Sequence, residues 1–211
     1  MRRRAQCPQA QVPAMTMQLD GRTVAILATD GFEYSELTGP RRLLEEAGAR
    51  VDVVSLEKRP IRGWQHGEWH QTVDVEAALA EVEPKDYDAL VLPGGVINPD
   101  TLRQHPEAIE FVRRMAAQGK PVAAICHGPW TLIDAGLVEG RRVTSWPSLR
   151  RDLENAGAHW EDSPVVRDGI LITSRKPDDV EVFTQTLIDA LQQRPQPGSE
   201  AAAIAAPVTL Q

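Results

Sequence analysis

Cysteine is scarce in this chain of 211 residues, which contains only Cys7 and Cys126. Cys7 lies in a leader rich in proline and glutamine, and nothing in the sequence predicts that it lies near Cys126. A disulfide-stapled fold is therefore not expected. A reducing, cytoplasmic location is the default for such cysteine usage.

Long apolar runs and an excess of positive charge are missing as well. No stretch reaches the ~18–20 apolar residues that a membrane-spanning helix needs. The basic start, Met1 to Arg4, is not followed by the apolar stretch of a signal peptide. The net charge of −7 disfavours a general nucleic-acid binder. Neither a membrane nor a nucleic acid is expected as a partner, and the lack of a glycine-rich phosphate loop predicts no cofactor.

The composition fits one domain, since 42% hydrophobic residues in a chain of this length can form a substantial core. We expect this domain over residues 22–192, between a flexible leader at 1–21 and a disordered, alanine-rich tail at 193–211. Met15 and Met17 are alternative start positions within the leader.

Predicted strands alternate with predicted helices along the domain. The predicted strands are 23–28, 51–56, 89–92, 122–125 and 143–145, with a hairpin at 165–173, and the predicted helices are 35–47, 106–117, 130–135, 148–156 and 177–191. This alternation predicts an α/β sandwich around a mainly parallel sheet. In such sheets functional groups gather at the carboxyl ends of the strands.

The most informative segment is a sharp strand-to-helix turn with Cys126 at its apex. Ala124 and Gly128 occupy the small-residue positions of a nucleophile elbow. Free backbone N–H groups and the positive end of the helix dipole converge on such a cysteine, and both favour thiolate over thiol. The alternative is a small buried cysteine that closes a core strand.

Two further loops are expected to meet this elbow at the same sheet edge. In the first, Glu33 precedes a helix, so it is either a functional acid or a helix cap. Glu36, one turn later, is predicted to be a routine first-turn acid. In the second, Gly94 and Gly95 offer backbone N–H groups to an oxyanion, although a tight turn needs the same glycines.

Six blocks of sequence resemble the ThiJ/PfpI superfamily, and within it the PfpI-like branch of intracellular proteases and general stress proteins. The blocks are 30–37, 92–95, 124–129, 144–147, 155–157 and 173–178. They follow one another in the family's order, and the resemblance spans residues 22–191. It implies a flavodoxin-like α/β fold related to class I glutamine amidotransferases, and assembly into homodimers or hexamers.

The resemblance also implies roles for individual residues. Cys126 would be the nucleophile, and Glu33 would be the protonated acid that hydrogen-bonds its sulfur. Burial beside a thiolate would raise the pKa of such a carboxyl. The backbone N–H groups of Gly95 and His127 would form an oxyanion hole. Asp100 would complete a Cys-His-acid triad in a neighbouring subunit, or would instead cap the helix it begins.

The remaining candidates surround this site. Because adjacent side chains at a helix start point apart, we expect His127 to contribute more through its backbone N–H than through its imidazole. Trp146 is predicted at the pocket wall with Gly94, core packing being the alternative for the tryptophan. His66 and His70 have a spacing compatible with a metal, but a surface or subunit contact is the stronger prediction, so no metal is expected.

Three functions are compatible with these residues. The preferred one is an enzyme of glyoxalase or deglycase type, in which Cys126 attacks a reactive aldehyde or its adduct and Glu33 transfers protons. A second is an intracellular cysteine peptidase acting on peptides. A third is a non-enzymatic redox sensor or chaperone in which Cys126 oxidises reversibly.

Overall fold

The computed structural model describes residues 18–194. In chain order its strands are β1 (Thr23–Leu27), β2 (Phe32–Glu33), β3 (Arg50–Ser55), β4 (Ile61–Gln65), β5 (Glu68–Val73), β6 (Ala77–Ala78), β7 (Ala89–Leu92), β8 (Val122–Ile125), β9 (Arg142–Val143), β10 (His159–Trp160), β11 (Val165–Asp168) and β12 (Leu171–Ser174). Its α-helices are α1 (Tyr34–Glu46), α2 (Ile97–Leu102), α3 (Pro106–Ala117), α4 (Pro129–Asp134), α5 (Arg150–Asn155) and α6 (Val180–Gln192).

A seven-stranded sheet forms the centre of the fold, in the order β11-β12-β8-β7-β1-β3-β6. Every neighbouring pair in it is parallel except β11 with β12, which form an antiparallel hairpin at one edge. Helices α1 and α6 pack on one face, and α2 to α5 pack on the other. The predicted flavodoxin-like sandwich with a mainly parallel sheet is confirmed.

Strand β1 shows why both faces of the sheet are covered. Val24 and Ile26 point into the core beneath α1 and α6, whereas Ala25 and Leu27 point into the core beneath the other helices. Successive side chains of a strand alternate between faces, so a strand buried on both sides must be apolar throughout. The run VAIL of Val24 to Leu27 satisfies this requirement and is fully buried, whereas Thr23 at the start of the strand is only half-buried.

The strand order places a topological switch point beside β1. The chain passes from β1 to β3 on one side and then returns across the sheet to β7 on the other side. The loops that follow β1 and β7 therefore diverge at the carboxyl edge and leave a crevice between them. Ligands of open α/β sheets bind in such crevices.

The predicted elements agree with the structure along most of the chain, including the hairpin at 165–173. Its turn is Gly169-Ile170 and not the predicted Asp168-Gly169, because Asp168 still pairs with Leu171 at the end of β11.

Four predicted segments differ. The predicted strand at 143–145 is β9, Arg142–Val143, and the predicted helix at 177–191 begins as a 3-10 turn, Pro177–Asp179, before α6. The predicted helix at 148–156 is a 3-10 turn, Pro147–Leu149, followed by α5. The segment that contains His66 and His70, expected at a surface or subunit contact, forms the hairpin β4–β5. This hairpin turns at His66-Gly67 and joins β2 in a second, three-stranded sheet.

The described residues begin inside the predicted leader. Residues 18–21 form a turn that packs on the domain, where Leu19 is only 1% exposed and its N–H donates to the carbonyl of Ala47. These four residues of the predicted leader are therefore packed against the domain. The rest of the leader and the tail from 195 lie outside the described residues. Within 18–194, no helix is long and apolar enough to span a bilayer.

The packing of α6 can be tested at two adjacent residues. Phe183 is fully buried against the sheet, whereas Val182 is 43% exposed. We expect Phe183→Ala to lower the free energy of unfolding by ~4 kcal/mol, because it leaves a cavity in the core. Val182→Ala, the matched control, should change it by less than ~0.5 kcal/mol. Urea unfolding measures both, and equal effects would contradict this orientation of α6.

Candidate active site

An open cavity of about 450 Å³ lies at the carboxyl edge of the sheet, at the switch point. Loops after β1, β7, β8, β9 and β12 contribute to its wall, together with the hairpin β4–β5. Its lining residues are Gly31, Glu33, Glu36, Trp64, Gly95, Val96, Ile97, Cys126, His127, Trp146 and Pro177. The three loops that the sequence predicts to converge do so here.

Cys126 occupies the apex of the turn between β8 and α4 in a left-handed backbone conformation, with φ of 61°. A residue with a side chain rarely adopts this conformation, and it costs of order 1–3 kcal/mol unless neighbours hold it. Two backbone hydrogen bonds do so. The Cys126 N–H donates to the carbonyl of Ser174 at 3.0 Å, and the Cys126 carbonyl accepts from the N–H of Trp146 at 2.9 Å.

Glycines make room for this turn. A Cβ on Gly128 would collide with the carbonyl oxygen of Leu92. A Cβ on Gly94 would lie 2.6 Å from both the Cβ of Cys126 and the Oε2 of Glu36. Gly95 has φ of 77°, and a side chain there would meet the carbonyl of Gly31. The elbow can therefore approach the loop after β7 only because these positions lack side chains.

The acid beside Cys126 is Glu36, and this corrects the expectation for Glu33. Glu36 is completely buried and accepts the N–H of Gly94 on Oε2 at 3.0 Å. A Cβ built on Gly94 would lie 2.6 Å from both this oxygen and the Cβ of Cys126. Glu36 lies on the buried face of α1 with Leu37, whereas Glu33 precedes the helix. The first turn of α1 therefore carries Glu36, and not Glu33, to the elbow.

Glu33 nevertheless lines the same cavity. Its N–H donates to the carbonyl of Gly94 at 3.3 Å, and its carboxylate accepts the hydroxyl of Ser35 at 3.2 Å. It is the N-cap residue of α1 by backbone geometry, but its side chain makes no capping hydrogen bond. Of the two acids, it is the one that is partly exposed.

Burial dominates the ionisation of the Glu36–Cys126 pair. The pKa of Glu36 is raised to about 8, mainly by burial and to a smaller extent by the charge of Glu33. Its carboxyl is therefore neutral at pH 7. Burial, and then the charge of Glu36, raise the pKa of Cys126 above its ordinary value. The N–H groups of Gly95 and His127, which face the sulfur, lower it by less. Desolvation therefore outweighs the N–H groups that favour the thiolate at this elbow.

His127 contacts the sulfur directly, contrary to the expectation from its adjacency. Its Nδ1 lies 3.1 Å from the Sγ of Cys126, and its Nε2 lies 3.4 Å from the Oγ of Ser148. The left-handed backbone at Cys126 changes the relative direction of the two side chains from that in a regular helix. Burial lowers the pKa of His127 to about 4, so the imidazole is neutral at pH 7.

Aromatic residues surround the imidazole and the mouth of the cavity. Trp146 stacks on His127 with ring centroids 6.1 Å apart, and Trp130 meets it edge-on at 5.3 Å. The pocket prediction for Trp146 agrees with its position in the cavity wall, as does the predicted approach of Gly94 to the site. Trp64 and its neighbours in the wall were not predicted, because sequence alone does not reveal that β4 joins β2 beside the elbow.

Asp100 and the two histidines of the β4–β5 segment lie away from the sulfur. Asp100 is exposed on α2, and its role as an acid for a neighbouring subunit stays a prediction. His66 forms the hairpin turn, and His70 packs edge-on against Tyr34 with centroids 4.4 Å apart. Within residues 18–194, no group of three or more His, Cys, Asp or Glu side chains is arranged to hold a metal.

Comparisons with known proteins agree with this geometry. Residues 22–190 match the DJ-1/PfpI family. A deglycase from Pyrococcus abyssi is 44% identical over 169 residues, which cover 80% of this chain and 99% of that protein. YraA from Bacillus subtilis, named as a candidate cysteine protease, is 41% identical over 169 residues, covering 80% and 98%.

Comparison with solved structures also supports this fold. Drosophila melanogaster DJ-1beta superimposes with a TM-score of 0.76 at 27% identity, over 82% of this chain and 92% of that one. The chain belongs to the DJ-1/PfpI family. The names of its relatives support a cysteine-dependent enzyme of this family, and the resemblance found in the sequence is confirmed.

The ionisation of Glu36 predicts how stability depends on pH. Unfolded, this carboxyl ionises near 4.5, whereas in the folded protein its pKa is about 8. Between these values the folded protein keeps a proton that the unfolded chain has lost, so the free energy of unfolding falls as pH rises through this window. Glu36→Gln has no such proton. At pH 8 we expect this variant to be more stable than wild type by up to ~5 kcal/mol, at about 1.4 kcal/mol per pKa unit.

Urea unfolding of both proteins at pH 4.5 and pH 8 measures this difference. The gain at pH 8 should largely vanish at pH 4.5. Glu110→Gln on α3 removes an exposed carboxylate and is the control, for which little change is expected at either pH. A Glu36→Gln effect of the same size at both pH values would show that Glu36 is already ionised in the folded protein.

Proposed function

We propose that this protein is a cysteine-dependent enzyme that acts on reactive aldehydes, such as 2-oxoaldehydes, or on their adducts. The observation that carries this proposal is the buried Glu36 carboxyl beside the Cys126 side chain, in the wall of an open cavity. A pKa of about 8 lies close to the working pH, which suits a group that both accepts and returns a proton. The Pyrococcus abyssi relative, named a deglycase, supports this class of substrate.

In the first step the sulfur of Cys126 adds to the aldehyde carbon. The thiol proton passes to the ionised form of Glu36 as the carbon–sulfur bond forms, and the π electrons of the carbonyl move onto its oxygen. The N–H groups of Gly95 and His127, which face the sulfur, stabilise this oxyanion. Glu36 then returns the proton to the oxygen, and a neutral hemithioacetal results.

A 2-oxoaldehyde can continue from this hemithioacetal without an external oxidant. The C–H proton of the former aldehyde carbon leaves to give an enediolate, and a proton returns to the neighbouring carbon to give a thioester of a 2-hydroxy acid. Neutral His127, 3.1 Å from the sulfur, is suited to carry this proton. Water then attacks the thioester and restores the thiol. Over the cycle, methylglyoxal gains one water and becomes lactate.

Conversion of methylglyoxal to lactate without glutathione tests this proposal. Cys126→Ser should abolish it, because the hydroxyl is a far weaker nucleophile. Glu36→Gln should lower kcat by ~100-fold or more, since proton transfer by a positioned side chain contributes about 10²–10⁴-fold. Glu33→Gln should lower kcat much less, because its carboxylate does not contact the sulfur. Lactate is measured enzymatically at fixed free methylglyoxal, since amine and thiol adducts release the aldehyde.

The outcomes separate the two acids. A larger loss in Glu33→Gln than in Glu36→Gln would contradict the assignment of the proton-transfer group. Activity that survives in Cys126→Ser would contradict covalent catalysis. Glu110→Gln, with its exposed carboxyl far from the cavity, should keep the wild-type rate.

Peptide hydrolysis is a second candidate, favoured by the contact of 3.1 Å between Cys126 and His127 and by the name of YraA. This reaction also needs a proton donor for the leaving amine. His127 has a pKa of about 4 and becomes that donor only after it has accepted the thiol proton. Casein hydrolysis that is lost in Asp100→Ala would favour this alternative, because the acid would then come from a neighbouring copy in a homodimer or hexamer.

A further inference from the structure

The cavity is larger than a three-carbon dicarbonyl requires. Its volume of about 450 Å³ equals that of roughly fifteen water molecules at ~30 Å³ each. It falls within the range of ~300–1,000 Å³ typical of sites that enclose larger organic ligands. A substrate that reaches Cys126 therefore has room for a further group beside the reacting carbon.

The charge of the cavity wall has one sign. Among the lining residues of the described chain there is no lysine or arginine, and the two acids are Glu33 and Glu36. Glu36 is neutral at pH 7, and the charge of Glu33 is one cause of this. Burial raises the pKa of Glu33 above its ordinary value, and the hydrogen bond from Ser35 limits this rise. Glu33 is the more exposed of the two acids, so any negative charge that the lining residues present to a ligand lies on its carboxyl.

Two guanidinium groups on and just before β4 have other partners. Arg59 pairs with Asp30 at 2.8 Å and with Glu57 at 3.1 Å. Arg62 donates to the carbonyl of His70 and lies over the ring of Trp69 at 5.8 Å. Neither lines the cavity, so the carboxylate of Glu33 faces it with the Ser35 hydroxyl as its hydrogen-bonded side-chain partner.

Aromatic faces accompany this carboxylate. Trp64 pairs with Glu33 in the β2–β4 ladder, so both side chains stand side by side in the cavity wall. Trp69 packs edge-on against Trp64 at 5.3 Å and limits its movement. Trp146 is 40% exposed at the same cavity. A carboxylate beside indole faces is a typical arrangement for binding an organic cation.

This group of residues lies close to the reacting sulfur. The N–H of Glu33 donates to the carbonyl of Gly94, and a Cβ built on Gly94 would lie 2.6 Å from the Cβ of Cys126. The backbone of Glu33 therefore contacts the same glycine, Gly94, that lies against Cys126.

We propose that Glu33, Trp64 and Trp146 form a subsite for organic cations. The carbonyl compounds that react at Cys126 then carry an ammonium or guanidinium group a few bonds from the reacting carbon. This inference rests on the proposed aldehyde chemistry for the identity of the substrate, but the subsite itself can be tested without turnover. It gives Glu33 a role in substrate selection, separate from the proton transfer assigned to Glu36.

Methanethiosulfonate reagents of different charge test the subsite at the sulfur itself. Each reagent transfers its thioalkyl group to the cysteine and releases methanesulfinate, so no enzymatic activity is needed. The reagents are the trimethylammonium-ethyl compound, its uncharged 3,3-dimethylbutyl isostere and the sulfonatoethyl compound. Rates are measured by intact mass in a Cys7→Ser background, and each is divided by the rate of the same reagent with 2-mercaptoethanol at the same pH.

We expect the cationic reagent to exceed its neutral isostere by ~10-fold after this correction, since a cleft lined by one sign of charge concentrates the opposite charge by at least that factor. Glu33→Gln should remove most of this preference, and Trp64→Leu should reduce it. Glu110→Gln makes the same chemical change at an exposed site on α3 and should leave the ratio unaltered. A ratio of one in wild type, or one unaffected by Glu33→Gln, would overturn the proposal.

A second comparison excludes compensation by Glu36. Burial is the main cause of the raised pKa of Glu36, and repulsion by Glu33 is the second. Loss of Glu33 removes that repulsion, which favours ionisation of Glu36 and would restore a negative charge. Glu36→Gln is therefore compared with Glu33→Gln/Glu36→Gln. The cationic preference should persist in the single variant and disappear in the double variant. Its persistence in the double variant would also overturn the proposal.

Aldehydes that add reversibly to the Cys126 thiol test whether the subsite also selects substrates for the proposed aldehyde chemistry. Betaine aldehyde and 3,3-dimethylbutanal have the same shape, and each forms a hemithioacetal in which the thiol proton ends on the former carbonyl oxygen. Betaine aldehyde should protect Cys126 from alkylation at a ~10-fold lower concentration than 3,3-dimethylbutanal does. Both concentrations are corrected for hydration of the aldehyde and for its equilibrium with 2-mercaptoethanol. Glu33→Gln should remove this difference. Equal protection would contradict the cation subsite, whereas absence of methylglyoxal turnover alone would contradict only the proposed function.

Discussion

Glu36 places a carboxyl group where water is excluded, against the sulfur of Cys126, and the rest of the site follows from that contact. Neither group carries a charge easily in this position, so the pair holds protons that each group alone would release at lower pH. The neutral carboxyl is compatible with the neighbouring charge of Glu33, whereas two adjacent carboxylates would repel each other. One acid is thus suited to proton transfer and the other to charge recognition. Their different burial separates the two roles.

Backbone geometry makes that contact possible. The left-handed conformation of Cys126 directs its sulfur toward α1 and also brings the imidazole of His127 to within 3.1 Å. A hydrogen bond from Cys126 to the carbonyl of Ser174 and one from the N–H of Trp146 to the carbonyl of Cys126 hold this conformation. The adjacent loop can approach because Gly94 and Gly95 have no side chains. The strained backbone of Cys126 is therefore held in place by strands and loops that are far apart in the sequence.

Sequence patterns predict the architecture well because β1, β7 and β8 are apolar throughout and end at loops with small residues. They also predict the convergence of three loops on Cys126. The prediction that Glu33 is the acid beside the sulfur is wrong, although the sequence contains a signal that favours Glu36. Glu36 falls on the same helical stripe as Leu37, Pro40 and Leu44, and a carboxyl on an apolar stripe is buried and needs a special partner.

Other features of the site depend on tertiary structure that a local pattern does not contain. The contact of His127 with the sulfur depends on a positive φ that is rare for cysteine. The contribution of Trp64 depends on β4 pairing with the two-residue strand β2, a pairing between segments that carry no strong strand signal. The raised pKa of Cys126 depends on the balance between burial and two N–H groups, which only coordinates reveal.

The protonation state of Glu36 is most directly measured by carbon-13 NMR of the glutamate side-chain carboxyls as a function of pH. The resonance of Glu36 is identified by its absence in Glu36→Gln. A titration midpoint near pH 8, well above those of the exposed glutamates, is the result predicted by burial against Cys126. A midpoint near the ordinary value of 4.5 would show that the carboxyl is ionised beside the sulfur at neutral pH, and would contradict the account of this site.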